Sequence, residues 1–386
     1  MRIATYNIQN LFHRHIDLME RNHKEKAVLW KDEFEQLMFN NDHSEKNYTR
    51  MRELADLLGF HNLPYGFHLS MKNLQGNLFV RPVLQKKDVR ASPITDWNGW
   101  AQLRSTPIGK GAIINKTKVI MDTDPDILLL QEVEDRSALF EFRSTFLEGS
   151  PEKDYGEIFH LEGNDFKGLG MGILLKKGYH IKSLRSFANE RDIDGGNLFE
   201  TNFIQLKIRI PYGRTIYVLN CHLIPEAKNN ERNNAKRKRQ AKRVAEIYGS
   251  LRSKGNENVL VVGTLNAPSY SDSLSPLLQG TDVKDIVKHT SFEVEHDNGD
   301  DATYYRMGAY RKGVNIKQKD YMLASPGLFD QINKSGLNRK AVWPLTIPKW
   351  HTYASMRNER DAASEHPLQW AEFTFGQLKL TLRKSV

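Results

Sequence analysis

The chain has 386 residues, 39% hydrophobic and 27% charged, enough for one large α/β domain or two smaller ones. No run approaches the ~18 apolar residues of a membrane span, and a net charge of +9 favours polyanionic partners, nucleic acid or anionic lipid, without choosing between them. A single cysteine, Cys221, excludes internal disulfides and a thiolate zinc cage and fits a reducing compartment.

The chain opens MRIATYNI, with neither the basic nor the apolar region of a signal peptide, so the expected location is cytoplasmic. Ile3 to Ile8 reads as a strand. Residues 44–59 have helix spacing, with Leu54, Leu57 and Leu58 apolar and Gly59 as a stop. Residues 60–109 read as irregular, a length that is often functional where it occurs. There Trp97 and Trp100 read either as packing of the insertion or as a wall that stacks on a base or a lipid chain. A helix over 110–124 leads to a strand over 126–133, followed by a helix over 136–147 and a strand over 171–177.

Residues 203–210 and 214–221 form a predicted hairpin, and 226–251 a long charged helix. Lys236-Arg237-Lys238-Arg239, with Lys242 and Arg243, is a basic run on that helix. It reads as a solvated face, a nucleic-acid contact or a targeting signal. Val259 to Val262 form an apolar strand ending in Gly263, and further strands are expected at 321–324 and 373–382. Helices between apolar strands, with hairpins, indicate an α/β protein with a mixed, buried sheet system. No repeat or linker divides it, so the expectation is one domain over 1–386 with a long insertion at about 13–109.

Several strands end in residues that apolar strands avoid: Asn7, Glu132, His222 and Asn266 follow such runs, Asp320 precedes one, and His366 lies before the last. In a wound sheet such ends converge on one crevice. The set is rich in oxygen, which suits a hard cation such as Mg²⁺ or Mn²⁺. Cys221 beside His222 is no nucleophile pair, since neighbours on a strand point to opposite faces. The glycines of 168–172 lack the Gly-Lys-Ser/Thr of a phosphate loop and read as strand entry.

NIQNLF, LLLQEVED, LNCHLIP, VVGTLNAPSYSD, KDYMLASP and SEHPLQWAEF, in that order, resemble the successive motifs of the endonuclease/exonuclease/phosphatase superfamily. The resemblance covers residues 1–12 and roughly 110–383. It implies a four-layer α/β sandwich, two packed mixed β-sheets flanked by helices. It also implies a metal-dependent phosphoester hydrolase, a phosphodiesterase or nuclease first of all. Carried over by motif, Asn7, Glu132 and Glu365 resemble the metal-binding groups, with Glu132 as the direct carboxylate ligand. His366 resembles the histidine next to the scissile phosphate, and Asp320 the acid that orients it. Asn266 resembles the amide that contacts a phosphate oxygen or the attacking water, and His222 a phosphate contact or proton donor to the leaving oxygen.

The chain departs from the pattern twice. Thr264 stands where the family has Asp in Gly-Asp-x-Asn, and Thr264 cannot act as a base or place a charge beside a cation. Glu365 replaces the Asp of Ser-Asp-His, keeping the charge with a longer reach. The first departure implies impaired catalysis. The alternatives are a weak or inactive member that binds nucleic acid or a protein partner, and a phospholipase or inositol-phosphate phosphatase.

Overall fold

The structure, a computed structural model, describes residues 1–15, 24–39, 44–58, 69–75, 98–103, 105–147, 154–164, 168–225, 231–293, 318–343 and 350–375. In chain order its elements begin β1 (Arg2–Asn7), β2 (His13–His15), α1 (Lys24–Phe39), α2 (Glu45–Leu57), β3 (Leu69–Gln75), β4 (Asn98–Leu103) and β5 (Ser105–Pro107). There follow α3 (Lys110–Thr123), β6 (Ile127–Val133), α4 (Arg136–Phe146), β7 (Tyr155–Leu161), β8 (Gly170–Lys176) and β9 (His180–Ser186). Next come β10 (Phe203–Arg209), β11 (Thr215–His222), α5 (Glu231–Ser253), β12 (Val259–Thr264), α6 (Ser275–Leu278), β13 (Lys284–Asp285) and β14 (Phe292–Glu293). The last are β15 (Asp320–Ala324), α7 (Pro326–Phe329), β16 (Ile332–Asn338) and β17 (Leu368–Phe373).

Two compact units result, one of residues 1–11 and 109–386, the other of residues 12–108. The first is built on a seven-stranded sheet, β14-β16-β17-β1-β6-β8-β7, and a six-stranded sheet, β13-β15-β12-β11-β10-β9. Ile3, Ile127, Leu129 and Ile173 of one sheet share a buried core with Leu206, Val218, Leu260 and Val262 of the other. On the far face of the six-stranded sheet, Leu219, Val259 and Val261 pack with Ala241, Val244 and Tyr248 of α5. Each central strand is thus covered on both faces, which is why it reads as a continuous apolar run. This is the expected four-layer sandwich.

The second unit holds α1 and α2, which pack on each other, and the paired strands β2-β5 and β3-β4. The irregular reading of 60–109 is therefore corrected, since three strands lie within that stretch. Trp97 lies outside the described residues, as does the side chain of Trp100. The last described strand runs over Leu368–Phe373, and of the strand expected at 373–382, residues 376–382 lie outside the described residues. Among the described residues no helix is long and apolar enough to cross a membrane.

Candidate active site

Strand direction collects the polar strand ends on one edge. β1 and β6 run parallel with Asn7 opposite Gln131, so Asn7 and Glu132 leave the first sheet side by side. β11 and β12 run parallel with His222 opposite Thr264. β15 is antiparallel to β12 and starts where β12 stops, with Asp320 opposite Thr264. β17 is antiparallel to β1, which brings His366, just ahead of it, to the end of β1.

The backbone here is bent to aim side chains. Glu132 sits at a register shift between β6 and β8 and has φ 59°. A bulge of this kind turns a side chain out of strand alternation. Gln131 stays inside, donating from Nε2 to Asn220 Oδ1 at 2.9 Å, while Glu132 meets Asn7. Gln9, Asn10 and Asn266 also have positive φ, of 48°, 69° and 56°. Left-handed non-glycine residues concentrate where the surrounding structure enforces a functional geometry. Gly263 has φ 120°, and a Cβ there would collide with the Cys221 carbonyl, so only glycine suits the position before Thr264.

A continuous hydrogen-bond chain links the two sheets. Asn7 Nδ2 donates to Glu132 Oε1 at 2.9 Å and to Thr264 Oγ1 at 3.2 Å. Thr264, fully buried, donates from Oγ1 to Asp320 Oδ1 at 2.8 Å. His366 Nδ1 lies 2.9 and 2.8 Å from the two Asp320 oxygens. A carboxylate can only accept, so Nδ1 carries the proton and Nε2 is the ring atom left for chemistry. Burial opposes charge on His366, but the facing Asp320 carboxylate outweighs it and Glu132 adds to it, so the His366 pKa is raised above 6.5.

His222 Nε2 is 3.6 Å from Glu132 Oε1, facing it without a direct hydrogen bond. Asn266 Nδ2 donates to Leu223 O at 2.8 Å, tying the amide to the residue after His222. His222 and His366 are each 8% exposed and Asn266 6%, so only their edges reach solvent. Glu365 is exposed, and among the described residues no hydrogen bond joins its carboxylate to Asn7. Its backbone N–H donates to Gln9 Oε1 at 2.6 Å.

The groups suited to hold a divalent cation are Glu132 and Asn7. Asn7 Oδ1 accepts from the Gln9 N–H at 3.2 Å and keeps a second lone pair. One partly exposed carboxylate and one amide oxygen form an oxygen-only set that fits a hard cation retaining several waters. Among the described residues no group of three or more His, Cys, Asp or Glu gathers as a larger cage.

Four polar supports were not singled out from the sequence. Ser364 Oγ donates to Asn7 O at 2.7 Å, Gln9 takes the Glu365 N–H, and Gln369 Nε2 donates to Asp320 O at 2.8 Å. Lys116 donates to the carbonyls of Ile8 and Ala363. Its signal was present: α3 buries Ala112, Ile113, Val119 and Ile120, and Lys116 falls within that stripe at helical spacing. The basic run of α5 is largely answered by acids. Lys236 pairs with Glu200 at 2.9 Å, Lys238 with Asp272 at 2.8 Å, Arg239 with Asp192 at 2.6 Å and Arg243 with Glu190 at 2.6 Å.

No family model matches the sequence, and no curated protein matches it. Among solved structures it is similar to a mannosyl-6-phosphatase from Bacteroides thetaiotaomicron, at 14% identity and TM-score 0.46, over 69% of this chain and 91% of that one. Truncated TDP2 from Caenorhabditis elegans is similar at 16% identity and TM-score 0.42, over 68% and 90%. An endonuclease/exonuclease/phosphatase from Bacteroides vulgatus is similar at 19% identity and TM-score 0.42, over 68% and 91%.

Proposed function

We propose that the chain is a divalent-metal-dependent phosphoester hydrolase of the endonuclease/exonuclease/phosphatase superfamily, acting on phosphodiesters and on nucleic acid first among them. The observation that carries this reading is the buried His366–Asp320 pair, linked through Thr264 and Asn7 to Glu132 on the opposite sheet. Glu132 and Asn7 would hold Mg²⁺ or Mn²⁺, which supplies charge neutralisation at the phosphate oxygens. His366 Nε2 accepts the proton of the attacking water as the new O–P bond forms. Asp320 stabilises the resulting imidazolium and holds the ring in the required tautomer. His222, facing Glu132, gives a proton to the leaving oxygen as its bond to phosphorus breaks. Asn266, held by Leu223 O beside His222, contacts a phosphate oxygen or the attacking water.

Thr264 bears on turnover. It fills the place of the family carboxylate with a neutral hydroxyl, so one charge is missing beside the cation. With His366 as the base, the missing carboxylate weakens the hold on the cation rather than the proton transfer. The same residue favours the second reading, a weak or inactive member that binds nucleic acid or a protein partner. Phospholipids and inositol phosphates present the same phosphoester to these groups. The test is a substrate panel with Mg²⁺: duplex DNA, single strands, sphingomyelin, inositol phosphates and a chromogenic diester. Hydrolysis abolished by chelation supports the proposal; no hydrolysis by the chain or its Thr264→Asp variant overturns it.

A further inference from the structure

Two parts of the site are remote in sequence, the end of β1 with the turn after it and the loop before β17. Each carries groups the reaction needs, Asn7 on the first and His366 on the second. What holds them in register is not the sheet ladder alone. Lys116, fully buried on α3, sends its ammonium to Ile8 O at 2.6 Å and to Ala363 O. Ile8 follows Asn7, and Ala363 precedes Ser364.

A second strut runs from Ser364 Oγ to Asn7 O at 2.7 Å, and a third from the Glu365 N–H to Gln9 Oε1 at 2.6 Å. α3 also fixes the approach to the second segment. Asn115 Nδ2 donates to Asp361 O at 2.8 Å, so adjacent residues of one helix hold the carbonyls of Asp361 and Ala363.

Burying an ammonium is unfavourable, and an apolar side chain in the same stripe would pack without that penalty. Its effect is geometric, because a charged donor with two acceptors ties two backbones at one point. We propose that Lys116 is a positioning residue that latches the Asn7 turn to the His366 loop and so sets the spacing between the metal-side and imidazole-side groups. Its catalytic consequence rests on the phosphoester hydrolase reading; the latch itself does not.

The test compares hydrogen exchange of the full chain with that of its Lys116→Met and Ser364→Ala variants, with hydrolysis of a chromogenic phosphodiester in Mg²⁺ measured alongside. In Lys116→Met the amides of residues 8–10 and 364–366 are expected to exchange at least ~tenfold faster, while those of β11 and β12 keep their rates. The same variant should lower kcat at least ~tenfold with KM within ~threefold, the mark of misplaced groups rather than lost binding. Unchanged exchange in both segments overturns the latch, and local loosening with unchanged kcat overturns the positioning role. Ser364→Ala removes a strut without touching the buried charge. Ser364 Oγ also accepts from the His366 N–H at 3.1 Å, so if Lys116→Met does not fold, faster exchange at residues 8–10 in Ser364→Ala supports the latch and unchanged exchange there overturns it. An unmutated chain that hydrolyses nothing counts against the hydrolase reading, while the exchange comparison still decides the latch.

Discussion

Thr264 Oγ1 donates to Asp320 Oδ1 at 2.8 Å, and that same oxygen lies 2.9 Å from His366 Nδ1. The hydroxyl therefore supports the imidazole's own carboxylate while accepting from Asn7 on the other side. An Asp at this position would set a second carboxylate against Asp320, and two such groups cannot both ionise at close range without a cation. Thr264→Asp should therefore melt below the unmutated chain in EDTA and recover with Mg²⁺. With Mg²⁺ it should hydrolyse a generic phosphodiester at least ~tenfold faster, through a firmer hold on the cation. Equal rates would sink the idea that the missing acid limits turnover.

Asp320 raises the His366 pKa, and the sign of that shift fixes two opposite pH effects. As a base His366 works when neutral, so the acid limb of the activity profile should rise with pH with a midpoint above 6.5. Stability runs the other way: a histidine raised in the fold contributes fully below about 6.5, and the contribution is lost as pH rises through its folded pKa. In Asp320→Asn burial acts against only the weaker pull of Glu132. The activity limb should move to lower pH, kcat should fall, and the extra stability below pH 6.5 should shrink. Profiles of kcat/KM against pH, with melts at pH 5.5 and 8.5, check this. An unmoved limb would mean that the contact does not govern the base.

The six polar strand ends were legible because a fully buried strand leaves little room for Asn7, Glu132, His222 or Asp320 except at its end. Their convergence needed strand direction, which no local pattern carries. The bulge at Glu132 was invisible, since one unpaired residue leaves the apolar run LLLQEV looking regular. Strands β7, β9 and β16 were missed for a different reason. They carry charges or polar residues on partly exposed faces, as in HIKSLRS and INKSGLN, and lack the dense apolar signal of β6 or β12. In sequence Thr264 shows only the loss of an acid. Its two hydrogen bonds belong to side chains far along the chain, so its supporting role could only appear in three dimensions.

The basic run on α5 invites a nucleic-acid assignment that its ion pairs do not favour. Lys236 and Lys238 already face Glu200 and Asp272. The Lys238–Asp272 pair is exposed and adds little stability, but both pairs offset the positive charge that a phosphate would meet. Lys236→Ala with Lys238→Ala should therefore leave the salt dependence of duplex DNA binding nearly unchanged, its logarithmic slope moving by less than ~1. Anisotropy titrations over a range of salt measure it; a fall approaching ~2 would place both lysines on phosphates.

Asp285 is a buried acid that the proposed reaction does not use. Its Oδ1 accepts from the Val287 N–H at 3.2 Å and its Oδ2 from Gln318 Nε2 at 2.8 Å. Burial outweighs both, raising its pKa from 3.8 to about 6. A carboxyl raised in this way contributes stability fully below pH 3.8, and the contribution is lost as pH climbs through about 6. Above that pH the ionised group opposes folding by up to ~3 kcal/mol. Asp285→Asn keeps an oxygen for Val287 and cannot ionise, though it gives up the hydrogen bond from Gln318 Nε2, which offsets part of the gain. Its Tm should exceed that of the unmutated chain by at least ~2 °C at pH 8, and the difference should narrow at pH 4.5. Thermal melts at the two pH values decide it: a Tm at pH 8 equal to or below the unmutated value would mean that the ionised carboxylate is compensated where it lies.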